Sequence, residues 1–145
     1  MREILFKAKR KDNGEWIEGH YTECRGETFI GIDTSSMFEI FCPPVIRWFK
    51  VSSETICQFT GLYDRYGNKI WENDILKTWS DEYAQVKFGL YSTGFASDDC
   101  NQGFYVEFPE DAIYRHELGY WCKETYVIGN IFDNKELLQE EPLSN

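Results

Sequence analysis

The sequence predicts a mostly β fold: an antiparallel small barrel, SH3-like or partly open, with extra hairpins and a short C-terminal helix. Three observations carry that reading. Aromatic residues make up 17% of the 145 residues, with eleven Phe, nine Tyr and five Trp. Such side chains suit the pleated, half-buried surface of a strand better than the side of a helix. Short apolar runs recur between turn residues along most of the chain. Only one segment, near the C-terminus, combines a helix start with apolar residues that can fold back.

Taken in order, Glu3–Lys9 alternates, with Ile4, Phe6 and Ala8 on one face. Lys11-Asp12-Asn13-Gly14 supplies hairpin-turn chemistry, because Asn-Gly tolerates positive φ, and a second strand follows at Trp16–Thr22. Strands are expected at Thr28–Asp33 and Met37–Phe41, on either side of the polar turn Asp33-Thr34-Ser35-Ser36. Pro43-Pro44 stops that run, Val45–Val51 resumes it, and Thr55–Phe59 follows. A tight turn region, Tyr63–Lys69, contains Gly67-Asn68. Beyond it, Lys69–Trp71, Ile75–Trp79, Ala84–Phe88, Phe104–Phe108 and Thr125–Phe132 read as strands. Asp133 is placed to cap the final helix, Glu136 sits three residues later, and Leu137-Leu138 can turn onto the body before Pro142 ends it.

The length fits one domain, residues 1–145, and leaves room for an N-terminal hairpin extension, 1–52, packed on a core of 53–138. No repeat or low-complexity linker forces a division. The formal net charge is −10, which disfavours binding to nucleic acid or to an anionic membrane unless basic residues are segregated. The basic cluster Lys7, Lys9, Arg10 and Lys11 is followed by Asp12, Glu15 and Glu18, as on a solvated hairpin rim. No apolar run reaches the roughly 18–20 residues of a membrane span, and charges occupy the place of a signal peptide's apolar stretch. A cytoplasmic protein of a bacterial host cell is therefore expected. The five cysteines (Cys24, Cys42, Cys57, Cys100 and Cys122) are scattered and never form C-x-x-C, which reads as free thiols, with Cys42 and Cys57 in the core.

Residues 54–75 are less generic. They read Glu-Thr-Ile-Cys-Gln-Phe-Thr-Gly-Leu-Tyr-Asp-Arg-Tyr-Gly-Asn-Lys-Ile-Trp-Glu-Asn-Asp-Ile. The stretch resembles the signature of the YopX family of small phage and prophage proteins, Gln-Tyr-Thr-Gly-Leu-x-Asp-x-x-Gly-x-x-Ile-Tyr-Glu-Gly-Asp-Ile. The start, Arg2-Glu-Ile-Leu-Phe-Lys-Ala, and the end, Val127-Ile-Gly-Asn-Ile-Phe-Asp-Asn with Leu137-Leu138, agree as well; residues 20–50 and 90–122 show no such pattern. The signature positions are Gln58, Thr60, Gly61, Leu62, Gly67, Ile70, Asp74, Ile75, Gly129 and Asn130. Cys57, Phe59 and Asn73 depart from the pattern, and Asn is the commonest non-Gly visitor to left-handed backbone. The resemblance implies a mostly β fold and a mobile-element origin, and it brings no established activity with it.

By themselves the same residues read as turns: Thr60-Gly61, Gly67-Asn68 and Glu72-Asn73-Asp74 reverse the chain, and Asp74 is suited to hydrogen-bond nearby amides. Against that stands a metal-dependent hydrolase or nuclease, with Asp74 and a second carboxylate from Glu82, Glu107 or Asp111 holding Mg²⁺. No spacing singles out the second carboxylate. The pairs His20/Cys24 and His116/Cys122 lack the form of a zinc site. G-x-S-x-G elbows and phosphate-binding glycine loops are absent, and no metal or cofactor is expected. Aromatic residues near the signature (Trp48, Tyr63, Tyr66, Trp71 and Trp79) favour binding over catalysis, with Tyr63 and Tyr66 the best candidates for exposure. The expectation is a non-enzymatic phage or prophage accessory protein that binds protein or self-assembles, with Tyr63, Tyr66, Trp71 and Asp74 as binding residues. A barrel that stacks single-stranded nucleic acid on its aromatics is the other alternative.

Overall fold

The computed structural model describes residues 3–34, 45–92, 100–108 and 116–138. The expected strand Met37–Phe41, the Ser35-Ser36 turn pair, Pro43-Pro44, Cys42, Asp111 and Pro142 lie outside the described residues. The chain divides into two compact units, Met1–Phe59 and Thr60–Asn145.

In the first unit, β1 (Phe6–Lys9), β2 (Trp16–Cys24), β3 (Glu27–Asp33), β4 (Ile46–Lys50) and the start of β5 (Cys57–Tyr63) lie side by side in the order β4-β3-β2-β1-β5. The β1–β2 hairpin closes as its sequence dictates: Asn13 Oδ1 accepts the Glu15 N–H at 2.9 Å and Gly14 takes φ +73°. Phe6 and Ala8 then stand opposite Gly19 and Ile17. Their face carries the core of Ala8, Ile30 and Val51, with Phe6, Ile17, Ile32 and Ile56 packed around it. On the other face, the Lys7 and Lys9 ammonium groups sit over the Trp16 ring at 4.8 and 5.5 Å. Gly31 lies under Trp48, where a Cβ would come within 2.7 Å of the indole. The strand expected from Thr55 starts later, because Ser53–Thr55 forms a 3₁₀ turn. Thr55 Oγ1 anchors that turn, donating to Ser52 O at 2.7 Å and accepting the Lys9 N–H at 2.9 Å.

In the second unit, β5 pairs with β6 (Lys69–Trp71). Four further strands, β7 (Asp74–Lys77), β8 (Tyr83–Ser92), β9 (Cys100–Glu107) and β10 (Tyr126–Asn130), form an antiparallel sheet ordered β10-β7-β8-β9. Its core contains Ile70, Leu76, Val86, Val106 and Leu118, all at most 1% exposed. The fold is mostly β and antiparallel, and neither sheet closes into a barrel, which is the partly open alternative.

Two helical details differ from expectation. A single turn of helix, α1 (Leu118–Trp121), has no sequence periodicity to announce it. Tertiary packing holds it, with Leu118 buried and the Trp121 ring edge-on to Phe108 at 5.2 Å. The C-terminal helix is a 3₁₀ turn, Lys135–Leu138. Asn130 and Asn134 organise its entry: Asn130 Oδ1 accepts the Phe132 and Asp133 N–H groups, and Asn134 Oδ1 accepts the Asn130 N–H. The Asp133 carboxylate accepts from Asn130 Nδ2. No described helix is long and apolar enough to cross a membrane.

Candidate functional site

The signature residues lie mostly on strands, with Gln58, Thr60, Gly61 and Leu62 in β5, Ile70 in β6, Asp74 and Ile75 in β7, and Gly129 and Asn130 in β10. Thr60-Gly61 therefore does not reverse the chain as expected, because it lies inside β5; Gly67 sits in the turn between β5 and β6. Gln58 pairs with Phe6 in β1. Thr60 Oγ1 donates to Ile70 O at 2.7 Å and accepts the Leu62 N–H, tying β5 to β6, while Gly61 takes φ +84° between them. Leu62 packs on the core, and Ile70 and Ile75 are fully buried. The segment is thus fixed by side-chain-to-backbone bonds at one end and by apolar burial at the other.

The next turn is built around Asp64, which is 6% exposed. Its Oδ1 accepts the N–H groups of Tyr66 and Asn68, each at 2.8 Å. Its Oδ2 accepts Asn68 Nδ2 at 3.1 Å and the Val127 N–H at 2.9 Å. Gly67 completes the turn at φ +82°, donating its N–H to Asp64 O. Burial opposes ionisation of Asp64, but the N–H donors of Val127, Asn68 and Tyr66 outweigh it and hold the carboxyl below the ordinary aspartate range. The neighbouring Arg65 N–H donates to Thr125 O, and Thr125 Oγ1 donates to Trp121 O. One carboxylate therefore orders its own turn and clasps it to the start of β10.

The corner from β6 to β7 uses the same device. Asp74 is 2% exposed, and its Oδ2 accepts the Trp71 N–H at 2.8 Å. Asn73 takes φ +71°, the left-handed backbone that Asn adopts more readily than other non-glycine residues. Its N–H donates to Val86 O, and its own carbonyl accepts the Ile131 N–H. At the end of β10, a Cβ on Gly129 would collide with the Asn134 side chain that accepts the Asn130 N–H.

Two expected binding residues are corrected by this geometry. Trp71 is 4% exposed and Asp74 is 2% exposed; both are interior, and neither offers a surface to a partner. Tyr63 and Tyr66 are accessible as expected, at 47% and 65%. Tyr66 has a setting that the sequence did not announce. The Arg65 guanidinium lies 3.7 Å from the ring centre of Trp79, itself 61% exposed, and 5.8 Å from that of Tyr66. Tyr66 also meets Tyr126 at 5.6 Å. Lys77, near Tyr83 at 5.9 Å, bonds Asp81, whose acceptor raises the lysine pKa. The outcome is an exposed aromatic and cationic patch in which Arg65 and Tyr66, on the turn that Asp64 immobilises, meet Trp79 from the turn between β7 and β8. The sequence reading missed Asp64; the signal that could have found it is an Asp with Gly three and Asn four residues ahead, the spacing of a turn whose carboxylate receives forward amides.

Of the carboxylates considered for metal chemistry, Asp111 lies outside the described residues. Glu107 pairs with Lys87, and among the described residues no three His, Cys, Asp or Glu side chains are grouped to hold a metal ion. His116 Nδ1 lies 3.0 Å from Val106 O, and Cys122 Sγ donates to Gly119 O. Among the described residues, one cleft of the second unit is lined by Gln85, Glu107, Phe108 and Leu138, and another by Gln85, Ile131, Phe132, Lys135 and Leu138.

Compared with known proteins, residues 5–139 match the model of the family described as YopX protein. The fold is similar to the crystal structure of protein EF1440 from Enterococcus faecalis, with a TM-score of 0.53 and 21% identity over 96% of this chain and 100% of that one. No curated protein matches the chain significantly.

Proposed function

The chain belongs to the YopX family, and from that premise we propose that it is a non-enzymatic accessory protein of a phage or prophage, acting by binding protein. The observation that carries this reading is the patch formed by Tyr66 and Arg65, on the turn held by Asp64, with Trp79 from the β7–β8 turn. Tyr, Trp and Arg are the residue types that dominate binding hot spots, and they contribute most where little conformational entropy remains to be lost. Here the backbone is held by Asp64 and the guanidinium by the indole, so the surface is ordered before a partner arrives. The turn-forming use of Asp64 and Asp74 supports a scaffold role for the signature.

The test is affinity capture from cells carrying the parent element, with the wild-type chain beside a Tyr66→Ala/Trp79→Ala double variant of unchanged fold. A partner retained by the wild type and lost by the double variant supports the reading. Equal capture by both overturns this surface as the binding site.

A further inference from the structure

One cation of the Tyr66 patch is held differently from the other basic residues of its unit. Residues 60–145 contain 16 Asp and Glu against 7 Lys and Arg. Where acids outnumber bases so heavily, a basic side chain readily meets a carboxylate, and Lys77 and Lys87 pair with Asp81 and Glu107. Arg65 does not. Among the described residues its guanidinium makes no ion pair and no hydrogen bond; it sits 3.7 Å from the Trp79 ring centre and 5.8 Å from that of Tyr66.

A guanidinium seated over a ring engages it with its flat face and keeps its N–H edge for a ligand. The backbone beneath is fixed as well. The Arg65 N–H donates to Thr125 O at 3.0 Å, and the Asp64 carboxylate holds the next amide, that of Tyr66. Around this cation lie further donors. Neither the Trp79 indole N–H nor the Tyr66 hydroxyl has a partner among the described residues, and both side chains are exposed. An indole N–H can only donate. The patch thus presents unused donors about one positioned cation, with two aromatic rings beside it.

Complementarity restricts the occupant. A planar fork of N–H groups fits a carboxylate, which it receives through two parallel bonds. A basic side chain would find its seat over the Trp79 indole already taken by Arg65. A run of several acids would be repelled by the carboxylate surplus of the unit, and the repulsion grows with each added charge. A single carboxylate satisfies the fork and keeps that repulsion smallest. Both the Trp79 and Tyr66 rings adjoin Arg65, and Tyr66 continues onto Tyr126 at 5.6 Å. Apolar residues before and after the acid therefore have aromatic surface to cover, which places the acid inside a segment and not at a free C-terminus.

We infer that the partner of this patch presents one Asp or Glu between apolar residues, its carboxylate received by the Arg65 guanidinium and its neighbours packed on Trp79 and Tyr66. The inference rests on the protein-binding reading and adds to it the chemistry of the group recognised.

The test is selection of a phage-displayed random dodecapeptide library on the immobilised full chain. Arg65→Gln, Arg65→Lys and the Tyr66→Ala/Trp79→Ala double variant run alongside, each with a near-ultraviolet circular dichroism spectrum that confirms folding. The expected result is enrichment of peptides with one Asp or Glu flanked by aliphatic or aromatic residues. With such a peptide made synthetically, replacing its acid by the matching amide, or Arg65 by Gln, should weaken binding at least about tenfold. Arg65→Lys, which keeps the charge and loses the fork, should not restore it. Peptides that need Tyr66 and Trp79 but lack a carboxylate, or bind Arg65→Gln as tightly as wild type, overturn the inference and leave the protein-binding reading standing. Polyacidic or basic sequences do the same. A selection that yields no peptide dependent on Arg65 or on the two rings overturns both.

Discussion

Asp64 Oδ2 accepts the backbone N–H of Val127 at 2.9 Å, across 63 residues of chain. The other oxygen of the same carboxylate holds the Tyr66 and Asn68 amides. A single buried side chain therefore joins a local turn to the start of β10 and fixes the surface on which Tyr66 and Arg65 sit. This is a structural use of an acidic residue, and its energetics differ from those of a catalytic acid. A charged acceptor with several N–H donors is stabilised while ionised, and removing it leaves donors stranded in a poorly solvated place.

Replacing Asp64 by Ala should lower the unfolding free energy by about 2–4 kcal/mol, through lost charge-assisted bonds and unsatisfied amides. Urea denaturation checks this, with the midpoint moving far more than for an exposed acid such as Asp81.

The pH dependence follows with a definite sign. The folded pKa of Asp64 lies below its unfolded value, because the N–H donors outweigh burial. Its contribution is thus complete above the unfolded value of about 3.9 and disappears as pH falls through the folded one. Unfolding free energies measured from neutral pH downward should fall more steeply for wild type than for Asp64→Ala across that acid window. Parallel curves would contradict the assignment.

Interior and surface aromatics of the signature separate cleanly. Trp71→Ala should cost roughly 3–5 kcal/mol, as expected for emptying a buried indole site. Tyr66→Ala and Trp79→Ala should change stability by only about 0.5 kcal/mol or so. Thermal or chemical unfolding of the three variants checks the ranking.

Much of this was legible in the sequence and some was not. The alternation of Phe6 and Ala8, the Asn13-Gly14 turn and the left-handed Asn73 follow from local chemistry, and all stand in the structure. Aspartate as a turn-former at position 74 was equally legible. The burial of Trp71 was not, because an aromatic beside a turn gives no hint of which side its ring faces until the corner is built. The helix at Leu118–Trp121 was hidden for a related reason: one turn held by packing against Phe108 leaves no period to read. The Arg65–Trp79 contact joins residues 14 apart on different elements, and nothing local predicts it.

The backbone at Asn73 offers another check. With φ at +71°, Asn73→Ala should destabilise by about 1 kcal/mol, whereas Asn73→Gly should be close to neutral. Equal losses for both would place the role of Asn73 in its side chain, whose Oδ1 lies 3.4 Å from Gln85 Nε2.

The cysteines give a chemical readout of the same architecture. Cys24 and Cys100 are exposed, whereas Cys57 and Cys122 are buried. A maleimide applied to the native protein should label the first pair, and the second only after unfolding, as peptide mapping by mass spectrometry would read.

The most direct test of the central claim, that Asp64 makes one unit of the signature turn and β10, is amide hydrogen exchange on wild type and Asp64→Ala. The account predicts that the Tyr66, Asn68 and Val127 amides, protected in the wild type, lose protection together in the variant, while Val86 and Val106 in the β8–β9 ladder keep more of theirs. Retained protection at Val127 when Asp64 is removed would contradict it.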